Sequence, residues 1–102
     1  MKIAIVSTDK KTVNEHFGKA ESFLICEMTE HKIEILEERP VAPYASGNPN
    51  HPFEPDKLEK ALTALSGCQK IYCTQIGDKP AGELLKAGIE PVVYEGSIAD
   101  IS

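Results

Sequence analysis

A histidine, a phenylalanine and a glycine stand together in the stretch "NEHFGKAESF", residues 14–23. An imidazole such as that of His16 can ligate a metal ion or donate a hydrogen bond to an anionic ligand. Beside it, Gly18 would let a ligand come close to the backbone, and Phe17 would provide an apolar wall. Alternatively, His16 is a helix-capping or solvent-exposed residue and Phe17 belongs to the core. The functional interpretation makes His16 the leading candidate for a metal ligand.

Two other positions could bind a ligand. His51 lies in "GNPNHPF", where the alternative is an exposed loop histidine. Gly77 precedes a predicted helix whose free N–H groups could hold an anion. Because "QIGDKPAG" matches neither the Walker pattern nor the dinucleotide fingerprint, a plain strand-to-helix turn remains the alternative there.

Known catalytic and zinc patterns are not found in the sequence. The third histidine, His31, is assigned to the surface, and there is no His pair at i, i+4 and no Cys-x-x-Cys. No G-x-S-x-G occurs either. Asp9 and Asp78 each follow a predicted strand, so a hydrolase that uses both with a divalent ion is a minor hypothesis. Two-metal phosphoryl chemistry would need more acidic residues, placed on the strands themselves.

Charge and length exclude several classes of partner. Sixteen acidic and eleven basic residues give a formal charge of −5, and no basic run exceeds Lys10-Lys11. A nucleic-acid interface needs clustered basic residues, so no nucleic acid is expected. No apolar run approaches the roughly 20 residues that cross a bilayer, and the first residues resemble a strand. We expect a cytoplasmic protein without membrane contact, with residues 1–102 as a single domain.

The cysteines Cys26, Cys68 and Cys73 are an odd number, and their spacing is poor for a disulfide or a shared metal. We expect them to be small buried hydrophobic residues in a reducing compartment.

Hydrophobic patterns predict the elements that position these residues. Strands are predicted at 3–6, 22–28, 32–38, 70–75 and 89–94, helices at 55–67 and 77–88, and one more helical turn at 97–101. The order is β-β-β-α-β-α-β. Tight links make the first three strands antiparallel, and helical crossovers make the later ones parallel, which gives an α/β fold with a mixed sheet and helices packed on it.

The segment from Arg39 to Pro55 contains five prolines, which exclude regular structure. A loop of this length in a small domain is unusual and is commonly either functional or mobile.

The element order and the stretch "EHFGKAESFLI" resemble the dinitrogenase iron–molybdenum cofactor biosynthesis family, which includes NifX-like carriers and the C-terminal module of NifB-type proteins. The similarity continues in "MKIAIVSTD", in "SFLICEM" and in "IYCTQIGDKPAGELLKAGIEPVVYEG". It implies a ribonuclease-H-like fold without the nuclease acids. It also implies binding of an iron–sulfur or iron–molybdenum cluster, or a precursor, for delivery rather than catalysis.

The resemblance makes His16 the cluster-facing metal ligand, with Phe17 and Gly18 shaping its loop and His51 as a loose counterpart. The cluster would be held non-covalently, on a surface made by residues 8–18, part of 45–52 and 74–80. The full predicted cofactor-binding set is Thr8, Asp9, His16, Phe17, Gly18, His51 and Gly77. Cluster donor and acceptor proteins would be the partners, and no oligomeric state is predicted. The alternative is a protein-interaction or regulatory module without metal.

Overall fold

A five-stranded mixed sheet and two helices dominate the computed structural model, which describes residues 1–30, 32–41 and 55–101. The strands and helices, in chain order, are β1 (Lys2–Ile5), β2 (Thr12–Val13), β3 (Ser22–Met28), β4 (Ile33–Pro40), α1 (Pro55–Ala64), β5 (Lys70–Cys73), α2 (Asp78–Lys86), β6 (Glu90–Val93) and β7 (Gly96–Ser97). Two 3-10 turns, Phe17–Lys19 and Ile98–Asp100, complete the elements. His31, His51 and most of the predicted long loop lie outside the described residues.

The strand order of the main sheet is β4-β3-β1-β5-β6. β1 pairs antiparallel with β3, and β3 with β4. β5 pairs parallel with both β1 and β6, so α1 and α2 lie within the crossover connections. This arrangement confirms the predicted mixed sheet, in which the early strands form a meander and the later ones are parallel. β4 continues two residues beyond the predicted strand at 32–38, so the prediction that the prolines exclude regular structure from Arg39 onwards is wrong for Arg39 and Pro40, which end this edge strand, where a proline is tolerated. β5 ends two residues before the predicted limit of 70–75.

The sequence did not predict a second, two-stranded sheet. In it, β2 pairs antiparallel with β7, and Thr12 lies opposite Ser97. Strands of two residues are too short to show an alternating pattern, which is why the analysis of periodicity missed them. The 3-10 turn that follows β7 confirms the helical turn predicted at 97–101.

Different elements cover the two faces of the main sheet. Because side chains alternate along a strand, neighbouring residues of β1, β3 and β5 belong to two separate buried clusters. The cluster on the helical face includes Ala4, Phe23, Ile71, Leu58, Leu65 and Leu84. The cluster on the opposite face includes Ile3, Leu24, Tyr72, Val13, Ile98 and Ile101. Two right-handed crossovers that advance in the same direction along the sheet place both helices on one face.

β4 is an edge strand and is mostly exposed, as its imperfect alternation predicts. Ile35 and Leu36 are 43% and 49% exposed, and a bulge interrupts the pairing of β4 with β3 at this point. Near the end of the strand, the Arg39 guanidinium donates a hydrogen bond to the Ala64 carbonyl at 2.6 Å. This contact satisfies one of the carbonyl groups left free at the C-terminal end of α1.

Both helices stop before a glycine with a left-handed backbone. Gly67 has a φ of +89° and Gly88 a φ of +82°, a conformation that costs glycine little, so the predicted stop signals are confirmed. Within the described part of the chain, no helix is long and apolar enough to span a membrane.

All three cysteines are buried and free. Burial raises the pKa of Cys26 and of Cys73 to about 11, and it raises the pKa of Cys68 as well. The thiols therefore stay protonated at neutral pH. The expectation of buried hydrophobic cysteines is confirmed.

Candidate functional site

Backbone hydrogen bonds fix the loop that contains His16 against the segment that follows β5. The Thr74 N–H donates to the Glu15 carbonyl at 3.0 Å, and the Phe17 N–H donates to the Gln75 carbonyl at 2.9 Å. These bonds lie on either side of His16. The loop therefore extends the sheet interactions past the carboxyl end of β5, and it places His16 beside the turn that leads into α2.

The Phe17 side chain anchors this loop in the core. It is 1% exposed, and its ring stacks on that of Phe23 with the centroids 5.8 Å apart and the planes at 24°. The residue therefore follows the alternative interpretation, a core phenylalanine. It can shape the site by holding the loop, while its ring faces the helical side of the core rather than an open surface.

The backbone of His16 is hydrogen-bonded, whereas its imidazole is not. The His16 N–H donates to Glu15 Oε1 at 2.8 Å, and the His16 carbonyl accepts from the Lys19 N–H at 3.1 Å. The side chain is half-buried and has no hydrogen-bond partner among the described residues. An imidazole on a fixed backbone, with neither nitrogen hydrogen-bonded to a described residue, is a candidate to bind a metal or an anionic ligand. Gly18, in the following 3-10 turn, is not one of the glycines with a positive φ.

Thr8 and Asp9 already form hydrogen bonds: Thr8 bonds to the loop that contains His16, and Asp9 bonds within its own turn. Thr8 exchanges two hydrogen bonds with Asn14, from its backbone N–H to Oδ1 and from Nδ2 to its hydroxyl, both at 2.8 Å. Asp9 accepts from the backbone N–H groups of Lys11 and Thr12, each at 2.8 Å, and from the Thr12 hydroxyl. These bonds hold the pKa of the Asp9 carboxyl well below its usual range. Asp9 thus stabilises its own turn.

A cleft of about 300 Å³ adjoins the His16 loop. Its lining includes Thr8, Glu15, Lys19, Glu21 and Glu38. Three carboxylates and one ammonium group make this surface unfavourable for a free anion. A larger groove of about 730 Å³, lined by Met28, Ile33 and Ile101 among others, lies at the opposite end of the strands and includes none of the predicted site residues.

Gly77 lies at the same end of the sheet as His16, two residues after Gln75. It precedes the first residue of α2, is exposed, and has an extended backbone with φ −75° and ψ 163°. Its carbonyl accepts from the Ala81 N–H at 3.1 Å. α2 begins at Asp78, so the backbone N–H groups at its start lie at this end of the sheet, although Pro80, its third residue, has none.

The structure therefore brings His16 and the turn before α2 together, and it joins Thr8 to the His16 loop through Asn14. Among the described residues, no group of three or more His, Cys, Asp or Glu side chains is placed to hold a metal ion. His16 is the one histidine among the described residues. His51 lies outside them.

The predicted surface, residues 8–18 and 74–80, contains Asn14, Glu15 and Gln75, but sequence reasoning gave none of the three an individual role. Glu15 and Asn14 form the hydrogen bonds that hold the loop, and Gln75 lies across from Phe17. No local pattern identifies such contacts, because they join segments about 60 positions apart or use common polar residues in turns.

A family model described as dinitrogenase iron-molybdenum cofactor matches residues 1–101. Protein NifX of Sinorhizobium fredii is 30% identical over 93 residues, which are 90% of this chain and 58% of that protein. Protein NifX of Azotobacter vinelandii is 30% identical over 98 residues, 95% of this chain and 59% of that protein.

The FeMo cofactor biosynthesis protein NifB of Azotobacter vinelandii is 32% identical over 89 residues, which are 87% of this chain and 18% of that protein. The chain therefore spans about three fifths of the NifX proteins and a fifth or less of NifB. The crystal structure of PH0822 superposes with a TM-score of 0.68 at 23% identity, over 98% of this chain and 85% of that one. This likeness shows a shared fold.

Proposed function

The chain belongs to the dinitrogenase iron–molybdenum cofactor family, as its sequence predicts, and from this we propose that it carries an iron–sulfur-based cluster or precursor in metallocofactor biosynthesis. The cargo is an iron–sulfur or iron–molybdenum cluster, bound non-covalently. The chain receives it from a donor protein and passes it to an acceptor in the cytoplasm. It acts as a carrier and not as a catalyst.

The observation that supports this proposal is the state of His16. Its backbone is hydrogen-bonded on both sides, but its imidazole has no partner among the described residues. An imidazole nitrogen can bind an iron atom of a cluster by replacing an exchangeable ligand. A single protein ligand suits a carrier, because a cargo held at one point is released more easily than one enclosed by four ligands.

An anionic cluster at this surface needs hydrogen-bond donors close to it, because the surface itself is negatively charged. Glu15, Glu21 and Glu38 line the adjoining cleft, so an anionic cluster meets unfavourable charge there. The backbone N–H groups of Gly18 and Gly77 themselves would offset the negative charge of the cluster on the other side of His16; the neighbouring Phe17 and Lys19 N–H groups are already hydrogen-bonded. The cargo therefore lies towards the turn before α2, with Thr8 and Asp9 supporting the neighbouring loop and His51 as a second candidate ligand.

We also propose that the domain, residues 1–102, has a ribonuclease-H-like fold that lacks the nuclease acids. The strand order β4-β3-β1-β5-β6, with an antiparallel half and a parallel half, supports this assignment. The use of the Asp9 carboxylate inside its own turn argues against the hydrolase hypothesis.

Cluster binding can be tested by incubating the protein without oxygen with a cluster-loaded donor and then measuring visible absorbance, iron and molybdenum. His16→Ala is expected to lower the bound metal by more than about tenfold. His51→Ala tests the second candidate ligand, and His31→Ala is the matched control, which is expected to bind as the wild type does. Equal occupancy in wild type and His16→Ala would contradict the proposal.

The alternative, an interaction or regulatory module without metal, predicts a different result. In a pull-down from the same cells, a partner would then bind equally well to cluster-free and cluster-loaded protein. A carrier instead binds its acceptor more strongly when it is loaded. The comparison of the two loading states therefore distinguishes the two functions.

A further inference from the structure

Gln75 is held beside the His16 loop by its backbone. Its carbonyl accepts the Phe17 N–H at 2.9 Å. The neighbouring Thr74 N–H donates to the Glu15 carbonyl at 3.0 Å. Hydrogen-bonded backbone segments lie about 4.8 Å apart, so Gln75 is a direct neighbour of the loop that carries the imidazole.

The side chain of Gln75 is exposed and makes no hydrogen bond to any described residue. Its carboxamide offers two N–H donors and one carbonyl acceptor. The fixed backbone and the uncommitted side chain repeat the combination seen at His16. Two neighbouring residues at the carboxyl end of β5 therefore have polar groups that the fold itself does not use.

We propose that Gln75 is a second binding residue for the cargo of His16, and that its carboxamide donates a hydrogen bond to a sulfur atom of an anionic iron–sulfur cluster. This inference rests on the proposed carrier function. When the imidazole of His16 binds an iron atom, one exchangeable thiolate leaves that iron, and no electron is transferred. The Gln75 amide then lies against the cluster sulfurs around that iron.

A neutral donor suits this position. Glu15 and two other carboxylates line the cleft on the other side of the loop, so the surface already carries excess negative charge. Hydrogen bonds from amides to cluster sulfurs stabilise the anionic cluster without adding charge to the protein. A carboxylate at position 75 would do the opposite, because it accepts hydrogen bonds only and repels the cargo.

The test uses a water-soluble synthetic [4Fe–4S] cluster with four 2-hydroxyethanethiolate ligands, titrated without oxygen into the full chain and followed by visible absorbance. Gln75→Ala is expected to weaken binding about tenfold, as for loss of a hydrogen bond to a charged acceptor. Gln75→Glu, nearly the same in shape, should bind more weakly still. Gln69→Ala is the matched control, since Gln69 is also exposed but precedes β5 at the opposite end of the strand. It should bind as the wild type does.

The double variant His16→Ala/Gln75→Ala shows whether both residues bind the same cluster or whether Gln75→Ala acts indirectly. If both residues hold one cluster, Gln75→Ala has little further effect once His16 is replaced by alanine. Thermal unfolding of all variants should be unchanged, since neither side chain is hydrogen-bonded to any residue that the structure describes. If Gln75→Ala binds like Gln69→Ala while His16→Ala loses binding, the inference is wrong and the carrier function stands. If His16→Ala binds as the wild type does, the carrier function through His16 is wrong, and the inference is wrong with it.

Discussion

Two loops at one end of the sheet use their polar groups in opposite ways. In the turn at residues 7–12, the Asp9 carboxylate accepts hydrogen bonds from Lys11 and Thr12, so its acceptor atoms are used within the turn itself. In the loop at residues 14–19, the backbone is hydrogen-bonded, but the His16 imidazole has no hydrogen-bond partner in the part of the chain that the structure describes. Both positions attract attention in the sequence. Only the second keeps a functional group that the fold does not need.

This comparison gives a physical criterion for choosing between structural and binding residues. A side chain that serves the fold should change stability when it is replaced. A side chain reserved for a ligand should change binding and leave stability nearly unaltered. The following predictions test that distinction.

The largest expected effect on stability is at the anchor of the His16 loop. Phe17→Ala removes a fully buried ring that stacks on Phe23, and we expect a loss of about 3–5 kcal/mol in the free energy of unfolding, measured with urea. If that variant does not fold, Phe17→Leu should still show a loss of about 1–2 kcal/mol. A value within error of the wild type for both variants would mean that the ring does not hold the loop in the core.

The next effect should appear in the Asp9 turn and depend on pH. Asp9→Asn removes the negative charge from the acceptor of two backbone N–H groups and so weakens both hydrogen bonds, and we expect lower stability at pH 7. Because the folded pKa of Asp9 lies below the unfolded value of about 3.9, its contribution is complete above that value and declines as the pH falls below it. The two unfolding curves should therefore converge in acid.

Other carboxylates with a lowered pKa also make stability depend on pH, but they are present in both the wild type and Asp9→Asn. Glu37, whose pKa is lowered by its hydrogen bond from Arg39, titrates in the wild type and in the variant alike, so its effect cancels in the difference. A stability difference that stays constant from pH 7 to pH 2 would contradict the role given to the Asp9 carboxylate.

A smaller effect, of opposite sign, is expected at Lys10. This residue has a φ of +63°, a left-handed conformation that costs a side chain about 1–2 kcal/mol, whereas glycine adopts it freely. After the greater entropy of glycine in the unfolded chain is deducted, Lys10→Gly should raise the unfolding free energy by about 0.5 kcal/mol. Lys11→Gly, where φ is not positive, should lower it. A loss at both positions would show that the turn is not strained.

The smallest effect on stability is expected at His16 itself. His16→Ala removes a ring without hydrogen-bond partners among the described residues, so the unfolding free energy should change by no more than about 0.5 kcal/mol. Cluster binding should fall sharply in the same variant. A large loss of stability without a loss of binding would reverse the assignment of the two loops.

Much of the architecture could be predicted from local patterns. The apolar runs identified β1, β3 and β5, the i, i+3, i+4 stripe identified α1, and the glycines marked both helix ends. The two-residue strands β2 and β7 could not be predicted, because segments this short show no periodic pattern and their pairing partners lie more than 80 positions away in the sequence. The family, too, was predicted from motifs, and the match over residues 1–101 confirms it.

The candidate site was only partly predictable. His16 stood out by its residue type and context, but the same criteria selected Asp9, which the fold uses internally, and gave Phe17 two interpretations. Gln75 did not stand out at all. Gln75 becomes a candidate only in the structure, where the Phe17 N–H of the His16 loop donates a hydrogen bond to its carbonyl.

The sequence alone determined which segments form strands and helices and which residue types are available for chemistry, because period and side-chain identity are local properties of the chain. The tertiary structure decided which of those side chains remain free. Hydrogen-bond satisfaction depends on what the sheet order and the crossovers bring alongside each group. That is why the same loop contains a buried ring at Phe17 and an available one at His16, and why Gln75 belongs beside it.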